Sequence, residues 1–420
     1  MHDFARSADP GVQAELDQLT LLSPGRDVLG LERIRALLDR LGNPQRSMPP
    51  AFHVAGTNGK GSTVAFLRAM LEAQGHRVHA FISPHLVRFN ERIRLAGTLI
   101  DDAMLADLLR EVREASDGIS PSFFEATTAA AFLAFARVPA EVCVIEVGLG
   151  GRLDATNVLE DVLACGIAAL GLDHQQFLGE TLTEVAAEKA GIAKAGVPLI
   201  TMDYPEEAYL AIANTVGPIG RVWAPMGMAW DAWADDDGLH VDDDQGALTL
   251  PLPTMIGAHQ WQNAALAVEM LRSQERLQVG DGAMAMGIRN AAWPARFQRL
   301  PAGPLAPVET WLDGAHNDNA ASALATLLEE RGPMHIVLGI LANKDAEAIV
   351  AALQPHALSL TFVPVPDHDH HNPAALAKRF GGTVAGNLEK ALEPLPAPRL
   401  VAGSLYLAGE ALSLNGSLPS

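Results

Sequence analysis

The segment Ala55–Thr63, with the sequence AGTNGKGST, has the residue types of a phosphate-binding loop. It lies between an apolar stretch that predicts a buried strand (51–55) and an amphipathic stretch that predicts a helix (62–74), which is the context such a loop requires. Glycines allow backbone N–H groups to approach phosphate oxygens, Lys60 supplies a positive charge, and the Ser62 hydroxyl can reach a magnesium ion. The segment therefore predicts a nucleoside triphosphate site.

The loop departs from the usual pattern G-x-x-x-x-G-K-[ST] at two positions. Val54 stands where that pattern has its first glycine, and Gly61 separates Lys60 from Ser62. A tight glycine turn without a ligand is the alternative interpretation. The strand and helix predicted on either side make that alternative the weaker one.

A second group of chemically capable residues is EVGLGGRLDATN (146–157), which follows a third predicted strand (142–147). Ligands gather at the carboxyl ends of the strands in open parallel sheets, so Glu146 is expected beside the phosphate loop. A carboxylate there is a natural magnesium ligand. The alternatives are a helix-capping acid or a buried partner of Arg152.

Two further segments carry residues that are weak signals by themselves. Leu172-Asp-His174 is predicted to end another strand, and Glu188-Lys-Ala-Gly-Ile192 is predicted to follow a helix. A lone histidine is more often structural, and a lone lysine is usually a solvated charge. These segments gain meaning only in combination with the others.

Taken together in this order and spacing, the motifs resemble the folylpolyglutamate synthase family of the Mur-ligase superfamily. The matching segments in the first part of the chain are AGTNGKGST, SPHLVRFNERIR (83–94), FFEATTAA, EVGLGGRLDATN, LDHQQFLG and EKAGI. The match continues through Asn263, Arg296-Phe297-Gln298, Asp313-Gly-Ala-His-Asn317, GILANKD (339–345) and GSLYL (403–407). The resemblance covers nearly the whole chain.

The resemblance implies an ATP-dependent carboxylate–amine ligase. Members of the family join L-glutamate to dihydropteroate or to the γ-glutamyl carboxylate of a reduced folate, and many bacterial members do both. The carboxylate is a poor electrophile and is first phosphorylated to an acyl phosphate, which the amine of glutamate then attacks. The expected cofactors are Mg²⁺, with two ions and a possible monovalent cation, and the resemblance favours a monomer.

The same resemblance implies roles for individual residues. Those matching ATP-binding positions are Thr57, Asn58, Gly59, Lys60, Gly61, Ser62, Asn263, Arg296 and Asp313. Those matching magnesium ligands are Ser83, Glu146 and His174, together with Ser62 and Lys189, the lysine that becomes carbamylated. Carbamylation is chemically reasonable because it converts a cation into an oxygen-donor anion. His316 is expected near the transferring phosphate or the incoming amino acid, which completes a catalytic set with Lys60, Glu146, His174 and Lys189.

The pterin or folate site is expected to involve Ser122, Phe123, Phe124, Glu125, Leu153, Asp154 and Ala155. Phe124 offers a stacking face, and Asp154 offers an acceptor for the amino group of a pterin. Ordinary core packing is an equally good explanation of Phe124 without the resemblance. Two positions depart from the family pattern: Ala295 stands where a glycine is common, and Asp318 stands where a proline is common.

The elements that must position these residues alternate between short strand-like and helical runs, which is typical of an α/β protein. We predict a P-loop-type, doubly wound and mostly parallel domain over residues 1–293 that binds ATP and the pterin. A Pro-rich linker over 294–307 follows, and residues 308–420 form a smaller Rossmann-like glutamate-ligase domain. Further strands are expected at 163–170 and 198–202, antiparallel hairpins within 223–250, and helix over 256–292.

Composition limits the class of protein. The 420 residues include 30 Lys plus Arg and 50 Asp plus Glu, for a net charge of −20, which disfavours binding to nucleic acid or an anionic membrane. Only two cysteines occur, Cys143 and Cys165, both in apolar stretches that indicate free buried thiols. No apolar run is long enough to span a bilayer, and we expect a cytoplasmic protein.

Two polar stretches invite a metal-site interpretation that we consider the weaker one. The aspartates at 235–237 and 242–244 are explained as solvated turns. The sequence DHDHHN (367–372) is explained as a solvated loop away from the inferred site.

Three other functions remain as alternatives. A cell-wall Mur ligase is disfavoured because the phosphate loop begins at residue 55, which leaves little room for the additional N-terminal domain of those enzymes. A nucleotide-binding module without ligase activity would not need Arg296, Asp313 and His316. A monofunctional member of the family, with only one of the two activities, stays open.

Overall fold

The computed structural model describes residues 6–22, 29–217 and 222–419. The chain divides into two compact units. The N-terminal unit contains residues 1–254 and 260–292, and the C-terminal unit contains residues 255–259 and 293–420. Both are α/β structures built on mostly parallel sheets, which confirms the predicted fold class.

The N-terminal unit is built on an eight-stranded sheet with the order β4-β3-β2-β5-β1-β6-β7-β8. Its strands are β1 (Ala51–Ala55), β2 (Val78–Phe81), β3 (Ile93–Leu95), β4 (Thr98–Leu99), β5 (Val142–Glu146), β6 (Val162–Ile167), β7 (Leu199–Thr201) and β8 (Trp223–Pro225). Strand β3 is antiparallel to both of its neighbours, β2 and β4, and all other neighbouring strands are parallel. Every residue of β1, β2, β5 and β6 is buried, as expected for strands covered on both faces.

The helices of this unit pack on the sheet and on one another. They are α1 (Pro10–Leu22), α2 (Glu32–Arg40), α3 (Lys60–Ala73), α4 (Asp102–Ala115), α5 (Phe123–Arg137), α6 (Gln175–Leu178), α7 (Leu182–Ala190), α8 (Glu206–Val216), α9 (Ala258–Arg272) and α10 (Asp281–Asn290). The stretch expected to be helical over 256–292 is therefore two helices. Gly287 of α10 lies so close to Met70 of α3 that an added Cβ would come within 2.4 Å of its backbone.

The strand order brings the chemically interesting segments to one edge of the sheet. Strand β1 lies between β5 and β6, with Val54 paired to Glu146 and Ala55 paired to Ile167. The phosphate loop, the end of β5 and the segment after β6 therefore meet at the carboxyl ends of three adjacent strands.

Residues 223–250 only partly follow the hairpin prediction. Strands β9 (Asp231–Asp235), β10 (Gly238–Asp242) and β11 (Leu248–Leu250) form an antiparallel sheet, as expected. Trp223–Pro225, however, extends the main sheet in parallel with β7. The prediction of two solvated aspartate turns is wrong for Asp243, whose carboxylate pairs with Arg272 at 2.5 Å and whose side chain is only 3% exposed. This ion pair links the residue after β10 of the small sheet to the last residue of α9.

The C-terminal unit has a six-stranded sheet with the order β12-β13-β17-β14-β15-β16. Its strands are β12 (Gln298–Arg299), β13 (Thr310–Leu312), β14 (Met334–Leu338), β15 (Ala357–Phe362), β16 (Thr383–Val384) and β17 (Arg399–Ala402). Its helices are α11 (Asp318–Arg331), α12 (Ala346–Leu353), α13 (Pro373–Phe380), α14 (Leu388–Leu392) and α15 (Leu405–Leu414). Only β12 runs antiparallel to its neighbour.

Other sequence predictions are confirmed or shifted at their ends. Cys143 and Cys165 are buried thiols that form no disulfide, as predicted. Helix α3 begins at Lys60, two residues earlier than predicted, and β6 ends at Ile167 rather than continuing to 170. Among the described residues, no helix is long and apolar enough to cross a membrane.

Candidate active site

The phosphate loop joins β1 to α3 and is braced against the segment that follows β6. The backbone N–H groups of Thr57 and Asn58 donate to the Ala169 carbonyl at 2.8 and 3.1 Å. The segment after β6 therefore engages both amides, and the roles expected for Thr57 and Asn58 in ATP binding stay predictions. The first amides of α3 remain the natural anion donors, since N–H groups at a helix start have no partner inside the helix.

Two lysines converge on one backbone carbonyl inside the loop. Lys60 Nζ lies 3.1 Å and Lys189 Nζ lies 3.0 Å from the carbonyl oxygen of Gly56. Lys189 is only 3% exposed, and burial together with the charge of Lys60 lowers its pKa to about 7. Two cationic groups that share one neutral acceptor form a strongly electropositive spot, which favours an anion or the loss of a proton.

Lys189 lies in a different element from the one that the sequence predicted. EKAGI was expected to follow a helix, but Glu188, Lys189 and Ala190 form the last residues of α7. Glu188 pairs with Arg152 at 3.0 Å, whereas the alternative considered for Arg152 was a pair with Glu146. The close approach of α7 requires Gly151, where a Cβ would lie 2.8 Å from the Glu188 carbonyl oxygen.

The candidate magnesium ligands come from five segments of the N-terminal unit. Glu146 ends β5 and is 4% exposed, and one of its carboxylate oxygens accepts a 3.3 Å hydrogen bond from the Ser83 amide. The Ser62 hydroxyl is buried in the first turn of α3 and has no hydrogen-bond partner. An orphaned buried hydroxyl and a buried carboxylate beside a phosphate loop fit a hard cation such as Mg²⁺.

His174 does not end a strand, in contrast to the prediction. Strand β6 stops at Ile167, and His174 lies in the following loop as the residue before α6, with a left-handed backbone (φ 52°). Thr57 ties this loop to the phosphate loop, because its Oγ1 donates to the Gly171 carbonyl at 2.8 Å. Within the described residues, no group of three or more His, Cys, Asp or Glu side chains is arranged to hold a metal ion.

Asn263 lies directly over the phosphate loop. It is 2% exposed on α9, and a Cβ added to Gly59 would come within 2.3 Å of its Oδ1. Gly59 also has a left-handed backbone (φ 82°), so both its conformation and its neighbour require glycine. The sequence placed Asn263 among the nucleotide contacts, and the structure brings it to the loop.

The residues predicted for the pterin begin α5 and have clear structural duties. Ser122 and Glu125 form a capping box at the start of the helix, and Glu125 also pairs with Arg33 at 2.9 Å. Phe123 is buried, whereas Phe124 is half-buried and lies across Gly148, where a Cβ would come within 2.3 Å of the ring. Of this group, Phe124 keeps the most accessible apolar face.

Asp154 organises the loop over residues 148–156, which we call the acceptor-side loop. Its carboxylate accepts hydrogen bonds from the backbone amides of Leu149 at 2.8 Å and Thr156 at 2.9 Å, and from the Thr156 hydroxyl. It is 2% exposed, and burial raises its pKa. Leu153 is half-buried and Ala155 is buried on the same loop.

Three predicted residues belong to the C-terminal unit. Both carboxylate oxygens of Asp313 accept backbone hydrogen bonds at 2.7 Å, from Phe297 and from Ala315. Burial raises the pKa of Asp313, while the charge of Arg296 opposes that rise. His316 Nδ1 lies 2.8 Å from the Gly314 carbonyl oxygen. Asp313 and His316 follow the carboxyl end of β13, whereas Arg296 precedes β12.

The two departures from the family pattern have local explanations. Ala295 adopts a left-handed backbone (φ 57°), a conformation that glycine adopts more easily, which explains why glycine is common there. Asp318 is the first residue of α11, where an acidic side chain suits the helix N-terminus as a proline does.

The stretch DHDHHN follows β15 at the edge of the C-terminal sheet where DGAHN follows β13, and its distance from the inferred site stays a prediction. Its histidines are engaged rather than solvated. The ring of His368 stacks on Tyr406 at 3.7 Å between centroids, and His371 Nε2 lies 2.8 Å from the Lys344 carbonyl oxygen.

Solved structures with this fold define the class of the protein. FolC of Escherichia coli, in complex with DHPP and ADP, aligns with a TM-score of 0.87 and 31% identity over 97% of this chain and 98% of that one. A bifunctional folylpolyglutamate synthase/dihydrofolate synthase with Mn, AMPPNP and L-glutamate bound aligns with a TM-score of 0.85 and 30% identity over 96% and 97% of the two chains. The chain has the Mur-ligase fold and is an ATP-dependent ligase.

The curated relatives define the family. Dihydrofolate synthase/folylpolyglutamate synthase of Bacillus subtilis is 37% identical over 354 residues, which are 79% of this chain and 80% of that protein. No protein-family model matches the chain. The chain belongs to the dihydrofolate synthase/folylpolyglutamate synthase family.

Several contributors to the site carried no signal in the sequence. The Gly56 carbonyl that both lysines share is a backbone atom, and Ala169 and Gly171 stand in no motif. Arg33, which holds Glu125, lies 92 residues away along the chain. Only the folded strand order reveals such partners.

Proposed function

We propose that this chain adds L-glutamate both to 7,8-dihydropteroate and to the γ-glutamyl carboxylate of reduced folates, at the expense of ATP. The observation that carries the proposal is the pair Lys60 and Lys189 on the Gly56 carbonyl, at the start of a phosphate loop. A ligase that brings a carboxylate against a triphosphate needs local positive charge, and the chain as a whole has a net charge of −20.

The reaction proceeds in two balanced steps. A carboxylate oxygen of the acceptor attacks the γ-phosphorus of ATP, which forms an acyl phosphate and releases ADP. The amine of glutamate then attacks the acyl carbon, loses a proton, and expels inorganic phosphate as the amide forms. Lys60 and the first amides of α3 stabilise the negative charge on the transferring phosphoryl group.

The residues present fit a magnesium site, as the orphaned Ser62 hydroxyl and the buried Glu146 carboxylate indicate. Ser62, Ser83, Glu146, His174 and a carbamylated Lys189 would hold the metal. Bound Mg²⁺ supplies positive charge that offsets the charge of the triphosphate. The number of ions and a monovalent cation stay predictions.

Lys189 is well suited to carbamylation. Its pKa of about 7 leaves a substantial fraction of uncharged amine at neutral pH, and only the uncharged amine attacks carbon dioxide. The N–C bond forms as one proton leaves, and the resulting anion offers oxygen ligands beside Lys60. A buried anion there also replaces the repulsion between two cations by attraction.

The remaining roles divide between the two units. We assign ATP contacts to residues 57–62, Asn263, Arg296 and Asp313, and contact with the amino acid or transferring phosphate to His316. For the acceptor, Phe124 and Leu153 supply apolar contacts, while Asp154 orients polar groups. We assign binding of the ATP phosphates and of the acceptor to the N-terminal unit, and glutamate ligation to the C-terminal unit. A monomeric state and a cytoplasmic location stay predictions from the sequence.

The test measures phosphate release from the purified chain with ATP, Mg²⁺ and L-glutamate, and compares 7,8-dihydropteroate with tetrahydrofolate as the acceptor. Glutamate-dependent turnover with both acceptors is the expected result. Turnover with one acceptor alone would assign a monofunctional enzyme. ATP binding without glutamate-dependent turnover with either acceptor would contradict the proposal and favour a nucleotide-binding module.

A further inference from the structure

His53 is a buried histidine that no part of the proposed mechanism uses. It lies in the middle of β1, three residues before Gly56, and is 0% exposed. Its Nε2 lies 2.8 Å from the hydroxyl of Thr156, at the end of the acceptor-side loop. It therefore joins the strand that carries the phosphate loop to the loop proposed for the acceptor.

The directions of the hydrogen bonds follow from donor counting. The Thr156 hydroxyl has one proton, which it donates to Asp154 Oδ1, so it must accept from the N–H at Nε2 of His53. Burial and the charge of Lys194 lower the pKa of His53 to about 3, which keeps the ring neutral. The other ring nitrogen, Nδ1, is buried and has no hydrogen-bond partner.

Because Nδ1 has no partner, the surroundings of His53 do not satisfy all of its hydrogen-bonding groups. A buried polar atom without a partner is unfavourable, so a non-polar residue at this position would avoid that penalty. What the imidazole does supply is one fixed donor to Thr156. The hydrogen-bond chain His53–Thr156–Asp154 adds a side-chain restraint on the Asp154 carboxylate to the backbone amides that already hold it.

The chain of contacts continues to Phe124. The same carboxylate accepts from the Leu149 amide at 2.8 Å, and that amide follows Gly148, on which the Phe124 ring rests. The orientation of Asp154 therefore also influences the position of Gly148, which the Phe124 ring contacts. All of these groups lie in the N-terminal unit.

We propose that His53 is a positioning residue for acceptor binding, which acts through Thr156 to hold Asp154 and the acceptor-side loop in the geometry that receives the pterin ring. The inference rests on the proposed function, because it needs a pterin-bearing acceptor at this loop. It goes further by assigning acceptor affinity to a residue in the core of the sheet.

The alternative is a histidine that only stabilises the fold. Two pairs of variants separate the possibilities. Thr156→Val removes the hydroxyl while keeping the shape, and Thr156→Ser retains it. His53→Leu removes the donor, and His53→Gln places an amide N–H near the position of Nε2.

A second buried histidine of the same sheet provides the matched control. His79 on β2 is also 0% exposed, and its ring nitrogens bond to the Val138 carbonyl and the Ala96 amide, away from the acceptor-side loop. His79→Gln disturbs the sheet to a similar extent and should leave acceptor affinity unchanged.

The experiment measures, by calorimetry, the Kd of 7,8-dihydropteroate and the Kd of a non-hydrolysable ATP analogue for each variant, with the melting temperature beside them. Thr156→Val and His53→Leu should weaken acceptor binding by about fivefold to tenfold, the effect of losing one orienting hydrogen bond. Analogue binding should stay within about twofold, and Thr156→Ser and His53→Gln should restore most of the acceptor affinity.

Equal weakening for both ligands, or a lower melting temperature with unchanged acceptor affinity, would overturn the inference while leaving the proposed function intact. If His53→Leu does not fold, the Thr156 pair decides by the same criteria. Wild-type protein that binds the nucleotide analogue but no pteroate or folate would contradict the proposed function and the inference with it.

Discussion

The phosphate loop (Ala55–Thr63) and the acceptor-side loop (148–156) differ in whether their buried polar groups have hydrogen-bond partners. In the phosphate loop, the Ser62 hydroxyl is buried without a partner, and the ammonium groups of Lys60 and Lys189 share one carbonyl. In the acceptor-side loop, the Asp154 carboxylate accepts from two amides and a hydroxyl. The first region contains buried polar groups that lack a full set of partners, and we call it the incomplete region. The polar groups of the second region have their partners, and we call it the complete region.

This difference separates groups that do chemistry from groups that build the site. Buried polar atoms without partners are unfavourable, and they persist in native proteins where a ligand or a reaction uses them. Polar atoms with full sets of partners hold the backbone in place. Substitutions in the phosphate loop should therefore damage activity more than stability, and substitutions in the acceptor-side loop should damage both.

Removing the charge at Lys60 should have the largest effect. Lys60→Ala is expected to lower ATP turnover by about a thousandfold or more, because it deletes the cation aimed at the transferring phosphoryl group. Its melting temperature should not fall, since the substitution also relieves repulsion with Lys189. Phosphate release and thermal unfolding measure the two effects. The exposed Lys390→Ala serves as the control, and turnover within about tenfold of wild type would contradict the account.

Lys189→Ala should slow ligation by about a hundredfold, because it removes the lysine that we propose is carbamylated and ligates the metal. Short carboxylic acids such as acetate should partly restore the rate by entering the space that the side chain leaves, whereas chloride at the same ionic strength should not. Mass spectrometry of the wild-type protein under native conditions should detect one added CO₂. A variant with unimpaired ligation would discard the carbamate proposal.

Asp154→Asn tests the complete region. The side-chain NH2 replaces one of the two oxygens, so it faces either the Leu149 or the Thr156 amide, both of which donate, and the free energy of unfolding should fall by about 1–3 kcal/mol. Acceptor affinity should fall with it, and nucleotide affinity should not. Urea unfolding and ligand titration measure these quantities, with the exposed Asp237→Asn as the control. Unchanged stability would remove the distinction between the two loops.

Ser62→Ala tests the incomplete region with the opposite expectation for stability. The hydroxyl has no partner to lose, so the free energy of unfolding should stay within about 0.5 kcal/mol, while the Mg²⁺ concentration needed for half-maximal activity should rise about tenfold. Ser116→Ala is the matched control: Ser116 is equally buried, but its hydroxyl donates to the Val112 carbonyl at 2.7 Å. That variant should lose about 1 kcal/mol of stability without a change in metal dependence.

The smallest expected effect on activity concerns Glu269, on the helix that carries Asn263. Burial and the neighbouring Asp243 raise its pKa from 4.5 to about 8, so the folded protein holds a proton that the unfolded chain releases. The free energy of unfolding should therefore fall as the pH rises between those two values. Glu269→Gln stays neutral and should show a smaller loss in pH-dependent melting experiments. The exposed Glu275→Gln should behave like wild type, and an identical pH dependence in Glu269→Gln would contradict the assignment.

The sequence predicted what local pattern encodes. The phosphate loop was recognised because glycines, a lysine and a hydroxyl lie close together, and the buried strand β1 because AFHVA is continuously apolar. The α/β class followed from the alternation of elements. Asn263 was expected to contact the nucleotide only through the resemblance to a family, and the structure places it beside Gly59.

The sequence failed where partners come from distant segments. That Glu125 is held by Arg33 and that Asp243 is held by Arg272 depends on strand order and helix packing. The end of β6 at Ile167 was missed because apolar residues continue into the loop that braces Thr57. Whether the Ser62 hydroxyl has a hydrogen-bond partner depends on the groups around it in the fold, and the neighbouring sequence does not predict it.

The most direct test of the central claim follows an oxygen atom. The acceptor carboxylate is labelled with oxygen-18, and the inorganic phosphate released in the presence of ATP, Mg²⁺ and L-glutamate is analysed by mass spectrometry. Ligation through an acyl phosphate transfers one labelled oxygen from each acceptor to phosphate. Glutamate-dependent amide formation that releases only unlabelled phosphate would contradict the acyl-phosphate route.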